Sequence, residues 1–291
     1  MRYSVIVPVF NRPDEVDELL QSLCRQEVKD FEVINGQAED VLDALPNREN
    51  ISSQKDEVII FLDPARRDEH GGKTVQIGDC TPDVSQLQDV LLDKADLVMI
   101  KLSPMLDIAN IVKELKCVKE IHVVSVENEC KELLVLMSKD ATNCSVHCIN
   151  ITKQNIQKYI ASNSDREAEC HYVNELSAYL YEPNVSIMKA ACFRGLAQTF
   201  NIDKLHPSSH LYTSDKLIAD FPGRIFKVEN VFSLKDKALK SIKKANLTVR
   251  NFPSTVAELR KRLKINEGGS DYLFATTLAD ESKVIVKCSK A

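Results

Sequence analysis

The chain has 291 residues, of which 44% are hydrophobic and 28% are charged, and it carries a net charge of −5 at neutral pH. This length exceeds one typical domain, so we expect two or three compact units, and the negative charge excludes a general affinity for nucleic acid. The sequence has no apolar run of roughly 18 residues and no signal-peptide pattern. We therefore expect a cytoplasmic protein without a membrane partner.

The hydrophobic pattern alternates between strands and helices through the first half of the chain. It predicts a strand at 3–9, a helix at 13–25 and a strand at 31–34. Further helices are predicted at 39–45, 84–94 and 108–115, and further strands at 57–62, 96–102, 120–126 and 145–151. Residues 128–137 fit either a helix or a strand. Strands joined by single helices predict an α/β fold with a Rossmann-like, doubly wound and mainly parallel sheet.

One apolar run, Ile59 to Leu62, ends abruptly at Asp63-Pro64 and is followed by Arg66 and Arg67. A strand that is apolar on every residue has both faces buried, and such sheets bind ligands at the carboxyl ends of their strands. Asp63 stands at that end. The alternative interpretation is that Asp63-Pro64 only caps the next segment, because proline is common at the first position of a helix.

Asp63-Pro64 followed by basic residues resembles the strand-4 motif of class I S-adenosylmethionine (SAM) dependent methyltransferases. In that family an Asp/Asn-Pro-Pro loop covers the methyl donor and holds the target nitrogen by hydrogen bonds. This chain has Ala65 where the family has its second proline. The resemblance implies SAM as the cofactor and catalytic positions at Asp63, Pro64, Arg66 and Arg67.

Two further segments extend this resemblance. Residues 35–40 resemble the loop after strand 3, which implies that Gln37 and Ala38 lie beside the adenine of SAM. Residues 95–104 resemble strand 5, which implies that Lys101 and Ser103 reach the same rim as Asp63. The Gly71-Gly72-Lys73 segment between them either closes over the donor or simply forms a turn.

The donor-binding turn of the family is missing from this sequence. Class I methyltransferases bind the methionine part of SAM through a glycine-rich turn after strand 1, because only glycine lets the backbone approach the ligand closely. No glycine precedes Gly36 in this chain. We therefore expect a truncated sheet that binds SAM weakly or not at all.

The first 34 residues resemble a different family. The segment from Tyr3 to Arg12, followed by Leu19 to Leu23 and Asp30 to Ile34, is similar to the opening of family 2 glycosyltransferases. In that family Pro8 and Asn11 would border the uridine nucleotide. No metal-binding Asp-x-Asp follows at a suitable place. Glycosyl transfer is an alternative function that the first 34 residues support and the rest of the chain opposes. We expect the first strand and helix to complete the sheet mechanically.

The last third of the chain resembles two small modules of bacterial methyltransferase-like proteins. Residues 179–184, 206–214 and 221–224 resemble a ferredoxin-like insert, and residues 252–263 and 268–277 resemble a THUMP-like domain. Within the latter, Thr255 and Glu258 form a capping-box pattern, and Gly268-Gly269 predicts a turn from a helix into a hairpin. The predicted domains are a glycosyltransferase-like fragment (1–34), a methyltransferase-like Rossmann core (35–160), a ferredoxin-like insert (165–222) and a THUMP-like domain (223–291), the last two being small α+β domains.

Positive charge is concentrated in one part of this acidic chain. Residues 224–264 contain twelve Lys and Arg against three acids, Glu229, Asp236 and Glu258, a local excess of +9. Such a segment is a candidate phosphate-contacting surface, although exposed helices often carry charge for solubility alone. We predict RNA contacts at Lys243, Lys244, Arg260 and Arg262. A third function class is therefore a non-catalytic RNA-binding protein.

The nine cysteines are scattered and form no C-x-x-C pair, which predicts reduced and mostly buried thiols rather than disulfides. Cys144, His147 and Cys148 come nearest to a metal cluster. They lie on an alternating pattern without a second pair of ligands, so the sequence favours core packing and predicts no metal site.

Overall fold

The computed structural model describes residues 2–6, 17–18, 21–22, 25, 36–50, 57–66, 76–161, 165 and 167–291. The chain divides into two compact units, Met1–Val124 with Cys130–His147, and Ser125–Glu129 with Cys148–Ala291. Among the described residues, no helix combines the length and apolar character needed to span a membrane.

The elements of the first sheet and its helices include predicted ones and three strands that the sequence did not predict, at 65–66, 80–81 and 156–161. In chain order they are β1 (Arg2–Ile6), α1 (Ala38–Ala44), β2 (Val58–Leu62), β3 (Ala65–Arg66), β4 (Cys80–Thr81), α2 (Val84–Lys94), β5 (Leu97–Leu102), α3 (Ile108–Glu114), β6 (Val118–Val126), β7 (Glu129–Met137), β8 (Ser145–Ile151) and β9 (Ile156–Ala161). The strand predicted at 31–34 lies outside the described residues. Of the helix predicted at 13–25, residues 17–18 and 21–22 are helical.

Within the part of the chain that the structure describes, the first sheet has seven strands in the order β1-β2-β5-β7-β6-β8-β9. β1 pairs with β2 and β2 pairs with β5 in parallel, whereas β5 pairs with β7 in the antiparallel direction. The α/β fold class is confirmed, but the sheet, which was predicted to be mainly parallel, is mixed. The first strand completes the sheet beside β2, as expected.

Residues 129–137 of the segment that fitted two predictions form the strand β7. Leu133, Val135 and Met137 are fully buried, and the residues between them are less so. This alternation has the period of two that a strand requires. A helix would have placed these three side chains on different faces.

Helix capping explains where the helices beside the first sheet begin. Asp83 accepts a hydrogen bond from the Ser85 backbone N–H at 3.0 Å at the start of α2. Asp107 accepts one from the Ala109 N–H at 2.7 Å at the start of α3. Each carboxylate satisfies a backbone donor that has no partner within the helix.

The second sheet also has seven strands, in the order β11-β12-β10-β13-β16-β15-β14. Its elements are β10 (Tyr179–Pro183), α4 (Val185–Ala190), α5 (Phe193–Phe200), β11 (Asp203–Lys204), β12 (Tyr212–Ser214), β13 (Gly223–Ser233), β14 (Lys244–Arg250), α6 (Val256–Leu263), β15 (Asn266–Thr277) and β16 (Lys283–Lys290). Neighbouring residues Leu273 and Phe274 of β15 belong to two different hydrophobic clusters. The second sheet is therefore packed on both faces.

One local prediction in the carboxyl-terminal region is confirmed and one is wrong. The Thr255 N–H donates to Glu258 Oε2 at 2.8 Å and the Glu258 N–H donates to Thr255 Oγ1 at 3.3 Å, so the capping box opens α6. Gly268 and Gly269 do not form a hairpin turn. They lie within β15, where the pairing with β14 shifts between Ala245 and Asn246, and their φ angles of 93° and 87° suit glycine at such a bulge.

Among the eight described cysteines, Cys80, Cys148, Cys192 and Cys288 are buried. Cys144 precedes β8, whereas Cys148 lies within it and is fully buried. The expectation that strand periodicity places both thiols on one face therefore does not apply, because only one of the two residues is in the strand.

Candidate active site at the carboxyl rim of the first sheet

Asp63 and Lys101 form an ion pair at the carboxyl ends of two parallel neighbouring strands. Leu62 of β2 is in register with Ile100 of β5. The residues that follow them, Asp63 and Lys101, therefore lie side by side. Lys101 Nζ is 2.6 Å from Asp63 Oδ2, and the side chains are 38% and 35% exposed, respectively. The pair is thus fixed by the sheet and still accessible to a ligand.

A small pocket adjoins this ion pair. Its lining includes Pro64, Gln76, Cys80, Lys101, Leu102, Ser103 and Leu106. The short ribbon formed by β3 and β4, in which Ala65 pairs with Thr81, places Pro64 and Cys80 at this rim. The pocket therefore combines an apolar wall with the Lys101 side chain, which pairs with Asp63 beside it, and the Ser103 hydroxyl group.

The turn after β5 fixes the position of Ser103. Its Oγ accepts a hydrogen bond from the Met105 N–H at 3.3 Å, and its carbonyl accepts one from the Leu106 N–H at 3.2 Å. Asp107 then starts α3. The rim residues are held by local hydrogen bonds, so their geometry does not depend on a bound ligand.

The opposite ends of β2 and β5 carry a second, structural carboxylate. Arg48 Nε donates to both oxygens of Asp96 at 2.8 and 2.7 Å, and the Val58 N–H donates to Asp96 Oδ2 at 2.8 Å. Partial burial raises the pKa of Asp96, but the hydrogen bonds from Arg48 and Val58 outweigh it and hold the pKa below its usual value. This group ties the strand ends together.

The structure brings together four of the residues that the resemblance assigned to the site, namely Asp63, Pro64, Lys101 and Ser103. Gln37 precedes α1 as an exposed residue and Ala38 is its first residue. Arg66 belongs to β3, while Arg67 and the segment 71–73 lie outside the described residues, as do Pro8 and Asn11.

Sequence reasoning missed Gln76, Cys80 and Leu106, which line the pocket. Gln76 and Cys80 follow Asp63 by more than ten residues, and no local pattern marks them as rim residues. Only the β3–β4 pairing brings them back to the strand ends.

Ten of the twelve basic residues in 224–264 are exposed, and Arg250 and Arg260 are half-buried. Lys243, Lys244 and Arg262 are among the exposed ones. The Arg260 side chain is only 19% exposed, its Nη1 donates to the Ala245 carbonyl at 3.4 Å, and it pairs with Glu267 at 3.9 Å. Arg260 is therefore mainly a packing residue, and its neighbour Lys261 is the better candidate for phosphate contact.

Two more arginines of this segment have an internal partner. Arg224 Nε donates to Glu182 Oε2 at 2.7 Å, and Arg250 Nη2 donates to Glu182 Oε1 at 2.9 Å. Glu182 is 4% exposed. The exposed basic surface, defined here as Lys243, Lys244, Lys261 and Arg262, excludes both arginines.

Comparisons with known proteins agree with this architecture. A ferredoxin-like domain family matches residues 179–222, and a THUMP domain-like family matches residues 223–290. No curated protein sequence matches the chain. A crystal structure of a "putative methyltransferase" from Porphyromonas gingivalis W83 superposes with a TM-score of 0.84 and 31% sequence identity, covering 99% of this chain and 72% of that chain.

These matches define a methyltransferase-like α/β protein with ferredoxin-like and THUMP-like domains. The chain belongs to the same family as the Porphyromonas gingivalis protein. The match includes nearly all of residues 1–34, and the resemblance of that segment to glycosyltransferases stays a prediction.

Proposed function

We propose that the protein is an RNA-binding member of a SAM-dependent methyltransferase family that keeps the acceptor side of the site and lacks the donor-binding turn. The observation that carries this proposal is the Asp63–Lys101 ion pair at the sheet rim beside Pro64 and Ser103. The family resemblance of Asp63-Pro64 supports it, and so does the family membership of the whole chain.

The acceptor side is the part of the proposed site that holds the group to be methylated, and its chemistry suits an amino or hydroxyl group. A half-exposed carboxylate accepts hydrogen bonds from such a group and orients its lone pair. Lys101 keeps Asp63 in place through the hydrogen-bonded ion pair between them. The Ser103 hydroxyl adds a second polar contact at the rim. Group transfer to a base in RNA requires this kind of positioning rather than a covalent nucleophile.

The donor side does not fit SAM equally well. In the sequence, the residues that follow β1 include no glycine up to Gly36, so the chain lacks the residue type with which the family brings its backbone against the methionine part. We therefore derive no chemical step through SAM in this chain.

Isothermal titration calorimetry with SAM and the full chain tests the donor side. We expect weak binding or none. A low-micromolar affinity, about −8 kcal/mol, would show that another loop replaces the missing turn. The Asp63→Asn variant then reports whether that affinity belongs to this rim.

The exposed basic surface is the proposed RNA-binding site. Lys243 and Lys244 lie at the start of β14, and Lys261 and Arg262 lie in the last turn of the nearby helix α6. Cations at phosphate contacts release counterions from RNA, so the affinity should fall steeply with salt. Arg260 does not belong to this surface because it contacts the protein itself.

Fluorescence anisotropy with a labelled hairpin RNA and a single strand of the same sequence tests this surface. The variant K243E/K244E/K261E/R262E should bind weakly, and its salt slope should be shallower by roughly 0.7 for each phosphate that the protein no longer neutralises. A matched control, K113E/K153E/K158E/K216E, reverses four exposed lysines elsewhere and should bind better than the first variant. Equal affinity of the two variants would contradict the proposal.

Non-catalytic RNA binding is the second candidate, and the missing glycine turn favours it. The two candidates differ in the effect of Asp63→Ala. If the rim acts on RNA, this change should reduce methyl transfer far more than it reduces the free energy of unfolding. Unchanged RNA binding in a protein that transfers no methyl group from SAM would support the non-catalytic candidate.

A further inference from the structure

Three potential metal ligands meet on one face of the first sheet. Glu120 and His122 lie two residues apart on β6, and His147 lies on β8, the next strand in the sheet. Residues two apart on a strand share a face. The ligand atoms of all three side chains lie within 4.8 Å of one another. We call this set the Glu120–His122–His147 cluster.

The distances between the ligand atoms of the cluster are close to those between ligands that share one metal ion. Glu120 Oε2 is 2.8 Å from His122 Nε2 and 3.7 Å from His147 Nε2. Ligands that bind Zn²⁺ tetrahedrally at about 2.0 to 2.1 Å are separated from each other by roughly 3.3 Å. The two separations from Glu120 bracket this value, and rotation of the two imidazole rings out of their stacked arrangement would direct their nitrogens at one ion.

The sheet and the neighbouring side chains hold the cluster in a fixed arrangement. The two imidazole rings stack with centroids 4.4 Å apart and an interplanar angle of 11°. Ser145 Oγ lies 3.0 Å from His147 Nε2, so a bound ion would replace this contact at the same nitrogen. The three side chains are 23% to 30% exposed, so an ion can reach them from solvent while the strands limit their motion.

We propose that Glu120, His122 and His147 bind one divalent transition-metal ion of the Zn²⁺ class. Two imidazoles and one carboxylate suit Zn²⁺, Co²⁺ or Ni²⁺ better than Mg²⁺ or Ca²⁺, which prefer oxygen ligands alone. Three protein ligands leave a fourth position for water or an external ligand, as open zinc sites do. The ion joins β6 to β8.

This inference replaces the expectation that His147 belongs to a core-packing group with Cys144 and Cys148. Cys148 is buried and alternates with His147 along β8, which places it on the other face. The signal in the sequence was Glu120-x-His122 on a predicted strand, and the partner His147 lay too far along the chain for spacing to indicate it.

Calorimetric titration of untagged, chelator-treated full chain with Zn²⁺ tests the site. We expect one ion per chain, and an affinity at least about 100-fold weaker in His122→Ala and His147→Ala. Co²⁺ should give the visible absorption of a low-coordinate site in the wild type, and Glu120→Gln, which keeps the side-chain volume and hydrogen bonding, should change that spectrum. Circular dichroism of each variant verifies folding.

His171→Ala is the matched control, because His171 pairs with Asp203 at 2.9 Å and the described residues supply no third ligand there. It should leave Zn²⁺ affinity unchanged, as should Cys144→Ser. The proposal is overturned if the wild type binds no Zn²⁺ at micromolar concentration. It is also overturned if Glu120→Gln gives the wild-type Co²⁺ spectrum, or if His171→Ala weakens binding as much as His147→Ala.

Discussion

Two carboxylates of this protein bind cationic side chains in opposite settings. Glu182 in the second unit is 4% exposed and accepts hydrogen bonds from Arg224 and Arg250. Asp63 in the first unit is 35% exposed and has the single partner Lys101 among the described residues. A charge that is buried depends on its partners for stability, whereas a half-exposed one keeps its hydration and can exchange partners. This difference marks Glu182 as structural and Asp63 as available for function.

The largest effect should come from removing both arginines around Glu182. The double variant Arg224→Ala/Arg250→Ala leaves a buried carboxylate without a cation, and we expect a loss of about 3 to 5 kcal/mol in the free energy of unfolding. Urea denaturation measures it, with Lys261→Ala as the control. A loss below about 1 kcal/mol would contradict the structural role of Glu182.

A second test uses the pH dependence of stability in the same unit. His210 stacks on Phe193 with centroids 3.7 Å apart, and its buried Nδ1 has no hydrogen-bond partner among the described residues. Burial, with Lys204 and Arg250 nearby, lowers the pKa of His210 from 6.5 to about 4. The interior of this unit therefore resists an additional positive charge.

The direction of the pH effect follows from this lowered pKa. Above pH 6.5 the ring is neutral in both the folded and the unfolded chain, and its full contribution to stability is present. As the pH falls towards 4, the unfolded chain gains the proton first, so about 2 to 3 kcal/mol of stability is lost. His210→Asn, which tolerates the left-handed backbone (φ 53°) at this position, should flatten that dependence in urea titrations. An equally steep dependence in the variant would assign the effect to other groups.

The Asp63–Lys101 pair, in contrast to the arginines around Glu182, should contribute little to the free energy of unfolding. Lys101→Met removes the partner of a half-exposed carboxylate, and we expect a change of about 0 to 1 kcal/mol in the free energy of unfolding. The same variant should alter any ligand affinity at the rim. If Lys101→Met destabilised the chain as strongly as the arginine double variant, Asp63 would be structural as well.

The smallest expected changes in stability concern two neighbouring residues on α6, Arg260 and Lys261. Lys261→Glu should leave the free energy of unfolding within about 0.5 kcal/mol of the wild type, because the residue is exposed. Arg260→Glu should cost more, since Arg260 is mostly covered and contacts Ala245 and Glu267. Parallel urea titrations compare the two reversals, which have the same charge change.

Local signals in the sequence predicted much of the first sheet. Helix α2 has the predicted bounds, β8 does as well, and β2 ends before Asp63 as expected. These elements are strongly periodic or have clear ends. The sequence did not decide between helix and strand for residues 128–137. The segment contains a continuous apolar run, Leu133 to Leu136, for which periodicity does not distinguish the two.

The parts that could not be predicted depend on contacts between distant segments. Arg260 is one of three consecutive basic residues in the sequence, and only its contact with Ala245 separates it from the exposed two. Gln76 and Cys80 reach the rim through the β3–β4 pairing. Gly268-Gly269 indicated a turn. The sequence does not reveal that β14 pairs alongside these glycines, which makes them a bulge within β15.

The bulge at Gly268 and Gly269 has a consequence for Lys244. A Cβ at Gly268 would lie 3.1 Å from Lys244 Cε, and one at Gly269 would lie 3.4 Å from Lys244 Cγ. The absence of side chains on both glycines thus lets the aliphatic stem of Lys244 rest on the backbone of β15. A lysine whose rotamers are restricted before a phosphate arrives loses less conformational entropy on contact. Per charge, Lys244 should therefore contribute more to RNA affinity than a lysine whose stem moves freely in water.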